Sequence, residues 1–315
     1  MSEKTDKRKQ RVDLLAPAKI NLYLHITGRR ADGYHMLDSL VAFADIGDAV
    51  SVVRSARQTD GLVFDRRGPF ADALPVDGEK DLVSRAAAAL LDATGISGSG
   101  LSIELQKNLP VAAGIGGGSA DAAATLRGLM VLLDAPGTTS DLAARLALRL
   151  GADVPVCLTC EPTVMRGIGE TLRPVRALAE LGIVLVNPRV ALGTPTVFAG
   201  YATSGAAFRA PVEVAGEIWS QADACLAHLR EQNNDLTPAA TAALPVIGDM
   251  LAVLEAGEGC RVARMSGSGA TCFGLFADET VARRACATLS TAHSDWWWAA
   301  GRLLKAAPQP VLSDR

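Results

Sequence analysis

The chain has 315 residues, of which 49% are hydrophobic and 21% are charged. This balance is typical of a soluble globular enzyme, and the length exceeds that of most single-core domains, so we expect two domains. Lys and Arg total 31 and Asp and Glu total 34, which gives a formal net charge of −3. The chain therefore lacks the global basic field of a nucleic-acid-binding protein.

Targeting and redox signals are absent from the sequence. Residues 1–11 are strongly charged without an apolar segment, which predicts a disordered tail and neither a signal peptide nor a membrane anchor. No apolar run approaches the roughly 18 residues of a spanning helix. The 6 cysteines are scattered, and the pair Cys157 and Cys160 has no second pair or nearby histidine. We therefore expect free thiols, no membrane contact and a cytoplasmic location.

Hydrophobic periodicity predicts an N-terminal part in which strands and helices alternate. A helix over 82–93 ends at Thr94 and Gly95, a typical helix stop. The other elements expected here are strands at 18–26, 49–53 and 101–106, and helices from 119 onward and at 141–150.

After residue 170 the sequence becomes richer in loops. We expect strands at 183–186, 261–265, 271–276 and 298–303, and helices at 214–230, 239–256 (interrupted near Pro245) and 280–289. Mostly antiparallel strands mixed with helices indicate the α+β class. A change of character near residue 175 predicts two domains, over 12–175 and 176–315.

The segment 109–129 carries the strongest functional signal. Gly114, Gly116, Gly117 and Gly118 run into Ser119, after a predicted strand and before a predicted helix. Glycine backbone can approach a ligand closely, and a helix start offers unpaired N–H groups and a positive dipole end, so this order predicts a phosphate site. No lysine follows as in a P-loop, and Ser119 stands where a dinucleotide fingerprint has its third glycine. A tight turn without a ligand is the alternative.

Two early segments place polar side chains in unusual positions. Lys19 and Asn21 lie inside an otherwise apolar strand, where the lysine head either points to solvent or faces a cleft. Tyr34 and His35 follow a turn at Gly33 and offer an aromatic face and ring nitrogens. A turn closed by an amphipathic tyrosine is the simpler interpretation of the second segment.

Two later segments complete the set of candidates. Asp153 follows a predicted helix end. It is either an ordinary loop or cap residue, or it orients or deprotonates a hydroxyl if a lysine and a phosphate lie near. A second small-residue loop, 266–269, lies between two predicted strands and is either a hairpin turn or a place where a ligand meets backbone.

Three of these stretches, taken together, resemble a known family. The motifs Pro17-Ala-Lys-Ile-Asn-Leu, Leu109-Pro-x-x-x-Gly-x-Gly-Gly-Gly-Ser-x-Asp-Ala-Ala and Ser266-Gly-Ser-Gly-Ala-Thr are similar to the three motifs of the GHMP small-molecule kinases, in the same order. The resemblance implies a two-domain α+β fold, with an N-terminal ribosomal-S5-like α/β domain that binds ATP and a C-terminal ferredoxin-like α+β substrate domain. Segments beginning at Arg30, Gly151 and Asn234 are similar to one subfamily, whose substrate is a cytidylyl-methylerythritol.

This resemblance implies phosphoryl transfer from ATP, with Mg²⁺, to the 2-hydroxyl of that small molecule. Asp153 would be the base or orienter of the hydroxyl, and Lys19 would hold Asp153 and the transferring phosphoryl. Ser119 is also a candidate contact for Mg²⁺. The implied ATP-binding residues are Pro110, Gly114, Gly116, Gly117, Gly118, Ser119 and Ala120. The implied substrate-binding residues are Asn21, Tyr34, His35 and Phe198 around the cytosine, and Ser266, Gly267, Ser268 and Gly269 near the diphosphate and polyol.

Other functions are weighed against this one. A homoserine or mevalonate kinase would share the glycine loop but has no use for a cytosine pocket at Tyr34 and His35. A nucleotide-binding regulator without catalysis need not keep Lys19 and Asp153. A nicotinamide oxidoreductase would need an acidic residue to bind the ribose, and this sequence lacks one at the expected place. Arg166 and the tryptophans at 296–298 lie outside the motifs. We expect the tryptophans to pack on a terminal strand, and an exposed cluster would instead mark a contact in a homodimer.

Overall fold

The structure, a computed structural model, describes residues 10–55, 59–74, 81–134, 137–213 and 216–314. Short 3-10 helices lie at Ala71–Ala73 and Gly216–Ser220. In chain order the strands and α-helices are β1 (Gln10–Arg29), β2 (His35–Arg54), β3 (Val63–Arg67), α1 (Leu82–Thr94), β4 (Leu101–Gln106), α2 (Gly117–Leu133), α3 (Ser140–Leu150), α4 (Val154–Thr159), β5 (Thr163–Gly167), β6 (Thr171–Pro174), β7 (Gly182–Asn187), α5 (Thr194–Thr203), α6 (Ala222–Arg230), α7 (Thr237–Ala243), α8 (Val246–Glu255), β8 (Val262–Met265), β9 (Cys272–Phe276), α9 (Glu279–Ala292), β10 (Trp297–Arg302) and β11 (Val311–Asp314).

The first sheet is built on two long antiparallel strands, β1 and β2. Its order is β11-β1-β2-β4-β3, with β5 paired to β2 and β6 paired to β5. β1 is irregular between Pro17 and Lys19, and again between Asn21 and Tyr23. Such bulges bend a strand and turn its side chains toward new surroundings. Helices α1 to α4 bury their apolar faces against this sheet in one continuous core.

The second sheet is antiparallel, in the order β10-β7-β9-β8. Helices α7, α8 and α9 contribute to a core on one of its faces. A separate buried cluster joins the two sheets, because Ile20 and Leu40 of the first pack with Ile183, Leu185 and Phe273 of the second. This shared apolar layer fixes how the two halves of the chain face each other.

Several predicted elements are found where the sequence places them. β4 has the predicted bounds, and α1 ends at Gly95, whose φ of 66° is the left-handed conformation that glycine adopts easily. The interruption near Pro245 separates α7 from α8. α2 begins at Gly117, two residues before the expected start at Ser119.

Other predictions need correction. The helix expected over 214–230 is a 3-10 helix followed by α6, and residues 214 and 215 lie outside the described residues. The strand expected near 298–303 is not the last, since β11 returns to pair with β1. The tail predicted over 1–11 lies outside the described residues as far as residue 9, whereas Gln10 and Arg11 belong to β1. The domain boundary near residue 175 stays a prediction.

The cysteines and tryptophans also bear on the predictions. All 6 cysteines are free, as expected. Trp296 is buried and stacks on His293 with ring centroids 4.4 Å apart, while Trp297 and Trp298 are half-buried. These tryptophans therefore pack on and beside β10 as expected, and the homodimer stays a prediction. In the described part of the chain, no helix has the length and apolar character needed to cross a membrane.

Candidate active site

One cavity of about 870 Å³ is lined by residues from both halves of the chain. Its walls come from β1, the glycine loop (residues 114–118), the start of α5 and the small-residue loop (residues 266–269). The predicted site residues that line it are Lys19, Asn21, Tyr34, His35, Pro110, Gly114, Gly116, Gly117, Gly118, Ser119, Asp153, Phe198, Gly267 and Ser268. Ala120, Ser266 and Gly269 are not among its lining residues.

Backbone contact between the two loops explains why they are rich in glycine. Gly114 has a φ of 75°, and an added Cβ would lie 2.5 Å from the carbonyl oxygen of Ser266 and 2.6 Å from that of Gly269. Gly116, at a φ of 61°, is the N-cap of α2 and packs on the side chain of Lys19. A side chain at either position would push the loops apart.

The start of α2 is the candidate phosphate site. Gly117, Gly118 and Ser119 form its first turn and line the cavity, and N–H groups in a first turn have no intrahelical acceptor. A Cβ on Gly117 would lie 3.1 Å from Nζ of Lys107, and one on Gly118 would lie 3.6 Å from Leu82. Bare backbone with unpaired N–H groups therefore faces the cavity at a helix start, which is the arrangement that binds phosphate.

Lys19 and Asp153 form an ion pair beside this loop. Nζ of Lys19 lies 2.7 Å from Oδ1 of Asp153, and the two side chains are 7% and 34% exposed. The backbone N–H of Lys19 donates to the carbonyl oxygen of Ile115 at 2.9 Å, which ties β1 to the glycine loop. Asp153 stands immediately before α4, at a helix start that fixes its backbone. A half-exposed carboxylate and a buried ammonium thus share one wall of the cavity.

Aromatic rings line the part of the cavity formed by His35 and α5. The ring of His35 lies 5.4 Å from that of Phe198 at 31° and 5.6 Å from that of Tyr201 at 85°. Tyr34 also lines the cavity, and 64% of it is exposed. Burial and the nearby Arg29 lower the pKa of His35. Its imidazole is therefore neutral at pH 7, with one donor and one acceptor nitrogen.

Asn21 supplies a buried acceptor to the same cavity. Its Nδ2 donates to Oγ of Ser39 at 2.8 Å. Its Oδ1 is buried and has no hydrogen-bond partner among the described residues. An unpaired buried acceptor costs free energy unless a ligand supplies the donor, so this atom favours a ligand with a hydroxyl or amino group.

Ser266 holds the two loops together from behind the cavity. Its Oγ donates to the carbonyl oxygen of Gly114 and accepts from the N–H of Asn21, both at 3.1 Å, and its side chain is fully buried. Asn234 supports the same loop, because its Nδ2 donates to the carbonyl oxygens of Met265 and Gly267 at 2.8 Å. Direct substrate contact by Ser266 and Gly269 stays a prediction, whereas Gly267 and Ser268 do line the cavity.

Sequence comparisons identify the family of the chain. The GHMP kinases N terminal domain model matches residues 81–161, and the GHMP kinases C terminal model matches residues 221–295. The 4-diphosphocytidyl-2-C-methyl-D-erythritol kinase of Paramagnetospirillum magneticum is 49% identical over 292 residues, which cover 92% of this chain and 97% of that protein. The kinase of the same name from Rhizobium etli is 48% identical, over 90% of this chain and 92% of that protein. The chain belongs to the 4-diphosphocytidyl-2-C-methyl-D-erythritol kinase family.

Solved structures confirm the predicted two-domain GHMP kinase fold. A crystal structure of 4-(cytidine 5'-diphospho)-2C-methyl-D-erythritol kinase superposes with a TM-score of 0.75 at 33% identity, over 92% of this chain and 98% of that one. A homoserine kinase from Cytophaga hutchinsonii gives a TM-score of 0.68 at 18% identity, over 99% of this chain and 100% of that one. The second likeness shows a shared fold alone.

A lysine that the sequence analysis did not single out lies behind the glycine loop of this family member. Lys107 is 1% exposed, and its Nζ lies 2.5 Å from Oδ2 of Asp48 and 2.7 Å from Oδ2 of Asp121. Oδ1 of Asp48 accepts from the N–H groups of Asn108 and Leu109, at 2.6 and 2.8 Å. The sequence feature that could have identified Lys107 is its position: a charged residue that follows an alternating strand and stands just before the glycine motif.

Proposed function

We propose that this chain transfers the γ-phosphoryl group of ATP to the 2-hydroxyl of 4-diphosphocytidyl-2-C-methyl-D-erythritol. One observation carries the proposal: the Lys19–Asp153 pair, the bare helix start at Gly117 and the His35–Phe198 rings all line a single cavity. The names of the relatives support the same substrate.

ATP fits along the glycine loop. The N–H groups of Gly117, Gly118 and Ser119 would hold its phosphates at the positive end of the dipole of α2. Leu82 lies next to Gly118, and Leu74 and Val111 line the same cavity, so this apolar end suits the adenine ring.

Phosphoryl transfer requires positioning and charge stabilisation more than covalent chemistry by the protein. Asp153 accepts a hydrogen bond from the attacking hydroxyl and thereby aims its oxygen at the phosphorus, and it receives the proton as the new bond forms. Lys19 keeps Asp153 in place at 2.7 Å and offers its remaining donors to the oxygens of the transferring group.

The aromatic end suits a pyrimidine. Tyr34 and Phe198 offer faces for the base, and the neutral ring of His35 pairs with its hydrogen-bonding edge. Oδ1 of Asn21 accepts from a hydroxyl or amino group of the substrate. Homoserine and mevalonate lack a base to fill this end.

We further propose that Mg²⁺ enters as its complex with ATP. In the described ranges, no group of three or more His, Cys, Asp or Glu side chains is arranged to hold a metal ion. Mg²⁺ is commonly bound through substrate phosphates and waters with few protein ligands, and Ser119 is the candidate hydroxyl here. When bound, the ion neutralises charge on the phosphates. The supply of ATP makes the cytoplasm the proposed location.

A turnover screen tests the proposal. The purified chain is given Mg²⁺ and ATP with the cytidylyl substrate, homoserine or mevalonate, and ADP release is measured. We expect turnover with the cytidylyl substrate and background ADP release with the other two. Preferred use of homoserine or mevalonate would contradict the proposal.

A further inference from the structure

A second cavity, of about 470 Å³, lies on the other side of the strands that line the active cavity. Successive residues of a strand point to opposite faces of its sheet. In the paired strands β2 and β5, Ser39 and Met165 line the active cavity, whereas Val164 and Arg166 line the second one. The two cavities share no lining residue.

Arg166, which the family motifs leave unexplained, forms a wall of this second cavity. Its Nε lies 3.3 Å from Oδ1 of the buried Asp38, and its Nη2 lies 3.3 Å from Oε1 of Glu213. The same Nη2 donates to the carbonyl oxygen of Val212 at 2.9 Å, and the N–H of Val212 donates to Asp38. These bonds hold the segment at 212–213 against β5, so the cavity has a fixed wall.

Two further arginines line the cavity without a bound partner. Arg173 and Arg176 are both exposed, and neither forms an ion pair with any residue that the structure describes. With Arg166 they bring three guanidinium groups to one cavity, against the carboxylates of Asp38 and Glu213. The guanidinium fork matches the oxygens of a phosphate group.

The interior of the cavity is apolar and aromatic. Tyr23 and Trp219 are almost fully buried at its wall, and Val164, Val175 and Val212 complete it. A cavity of 470 Å³ is within the range that holds small organic ligands and is too small for a folded partner. A compact anionic head would meet the arginines and a short apolar body would meet this interior.

We propose that this cavity is a second small-molecule site, which binds a phosphate or diphosphate ester of a short hydrocarbon. Arg173 and Arg176 hold the anionic head, and the hydrocarbon lies against Trp219 and Val175. The site goes beyond the proposed kinase function, because the reaction uses none of its residues.

Isothermal titration of the whole chain with n-pentyl diphosphate tests the site. The titration is made with the active cavity filled by a non-hydrolysable ATP analogue and the cytidylyl substrate, so that binding there is blocked. We expect one further site, at which inorganic pyrophosphate and n-pentanol each bind about tenfold more weakly or worse, because each lacks half of the contacts.

Charge-matched variants locate the binding. In R173Q/R176Q the Kd for n-pentyl diphosphate should rise about tenfold or more. In R145Q/R149Q, which removes two exposed arginines of α3 that line neither cavity, the Kd should stay unchanged. Turnover of both double variants without the probe should equal that of the parent. The proposal would be overturned if the parent did not bind n-pentyl diphosphate, or if it bound the probe only while the active cavity was empty. Equal affinity of the two double variants for the probe would overturn it as well.

Discussion

At the scale of single residues, the proposed role of Asp153 is to position the attacking hydroxyl, since its carboxylate is the acceptor beside Lys19. In Asp153→Asn the amide still fits, but it cannot take the proton. We expect kcat to fall about 10²–10⁴-fold while the Kd for ATP stays nearly constant. Stopped assays of ADP release and a separate ATP titration measure the two quantities.

Asp141→Asn is the matched control, because Asp141 is an exposed acid in the first turn of α3 and lines neither cavity. Its kcat should equal that of the parent. Near-parental turnover of Asp153→Asn would remove Asp153 from the reaction.

His35 makes substrate binding depend on pH in one direction. Burial lowers its pKa below the ordinary 6.5, so the ring is neutral above that pH and gains a proton only as the pH falls further. The KM for the cytidylyl substrate should therefore be flat above pH 6.5 and rise below it, because the ring loses its acceptor nitrogen. The KM for ATP serves as the internal control.

Two variants separate titration from simple loss of contact. His35→Asn keeps an acceptor that does not titrate, so its KM for the cytidylyl substrate should lose the rise at low pH. His35→Ala should raise that KM about tenfold to hundredfold at every pH, since a buried hydrogen bond is lost. An unchanged KM in His35→Ala would remove His35 from the cytosine site.

At the scale of elements, the glycine loop needs glycine because neighbouring atoms leave no room for side chains, and not only because the chain turns there. A Cβ on Gly117 would meet Nζ of Lys107 at 3.1 Å, so Gly117→Val fills the space between that cation and the cavity. We expect Gly117→Val to weaken ATP binding strongly, and to lower the melting temperature because its side chain presses on the buried Lys107, so ATP binding is measured well below the transition. Gly248→Val on α8, where an added Cβ meets only Thr241 at 3.5 Å, is the control for a valine at a helical glycine. Parental ATP affinity in Gly117→Val would show that the loop is only a turn.

The buried charges behind the loop link β2, α2 and the segment between β4 and α2. Burial raises the pKa of Asp121 well above its usual range, and Asp48 acts in the same direction against the attraction of Lys107. Because burial disfavours the charge of Asp121, and Asp48 stays paired with Lys107 when that charge is removed, Asp121→Asn should lower the free energy of unfolding by less than Lys107→Met does.

Lys107→Met should instead cost about 3–5 kcal/mol, because it leaves Asp48 buried without its cation. Urea unfolding of the parent and both variants measures the difference. Equal stability of the two variants would contradict this account of the buried charges.

Local patterns predicted some elements well and others poorly, for physical reasons. β4 alternates buried and half-buried residues and α1 has both caps, so each could be located from its own residues. Every residue of β1 from Ala16 to Ile26 is buried, because one part of the strand faces the helices and another part faces the second sheet. Local alternation therefore did not predict the full length of the strand. β11 is largely exposed and exists through pairing with residues about 300 positions away, which no local pattern records.

Local sequence patterns also predicted only part of the candidate site. Lys19 and Asp153 were placed together through family resemblance, and the structure gives their contact. Lys107 was missed because its partners Asp48 and Asp121 come from two other elements. The bonds of Ser266 to the backbone of Gly114 and Asn21 could not be predicted either, because they depend on tertiary packing, and its contact with the substrate stays a prediction.

At the scale of the whole molecule, the active cavity needs both halves of the chain. The first half contributes the glycine loop, Lys19 and His35, and the second contributes Phe198 and the small-residue loop held by Asn234. Because the proposed base-binding end combines both halves, we expect specificity for the nucleotide portion of the substrate to depend on the assembled fold. The homoserine kinase from Cytophaga hutchinsonii has the same fold at 18% identity, so we expect the residues that line the cavity, and not the fold alone, to set the substrate.

Discrimination between bases tests this central claim most directly. The parent chain is assayed with saturating ATP and either the cytidylyl substrate or its uridylyl analogue, which reverses donor and acceptor at position 4 of the base. The loss of one buried hydrogen bond predicts a kcat/KM at least about tenfold higher for the cytidylyl substrate. Equal kcat/KM for the two would contradict a site that reads the cytosine edge.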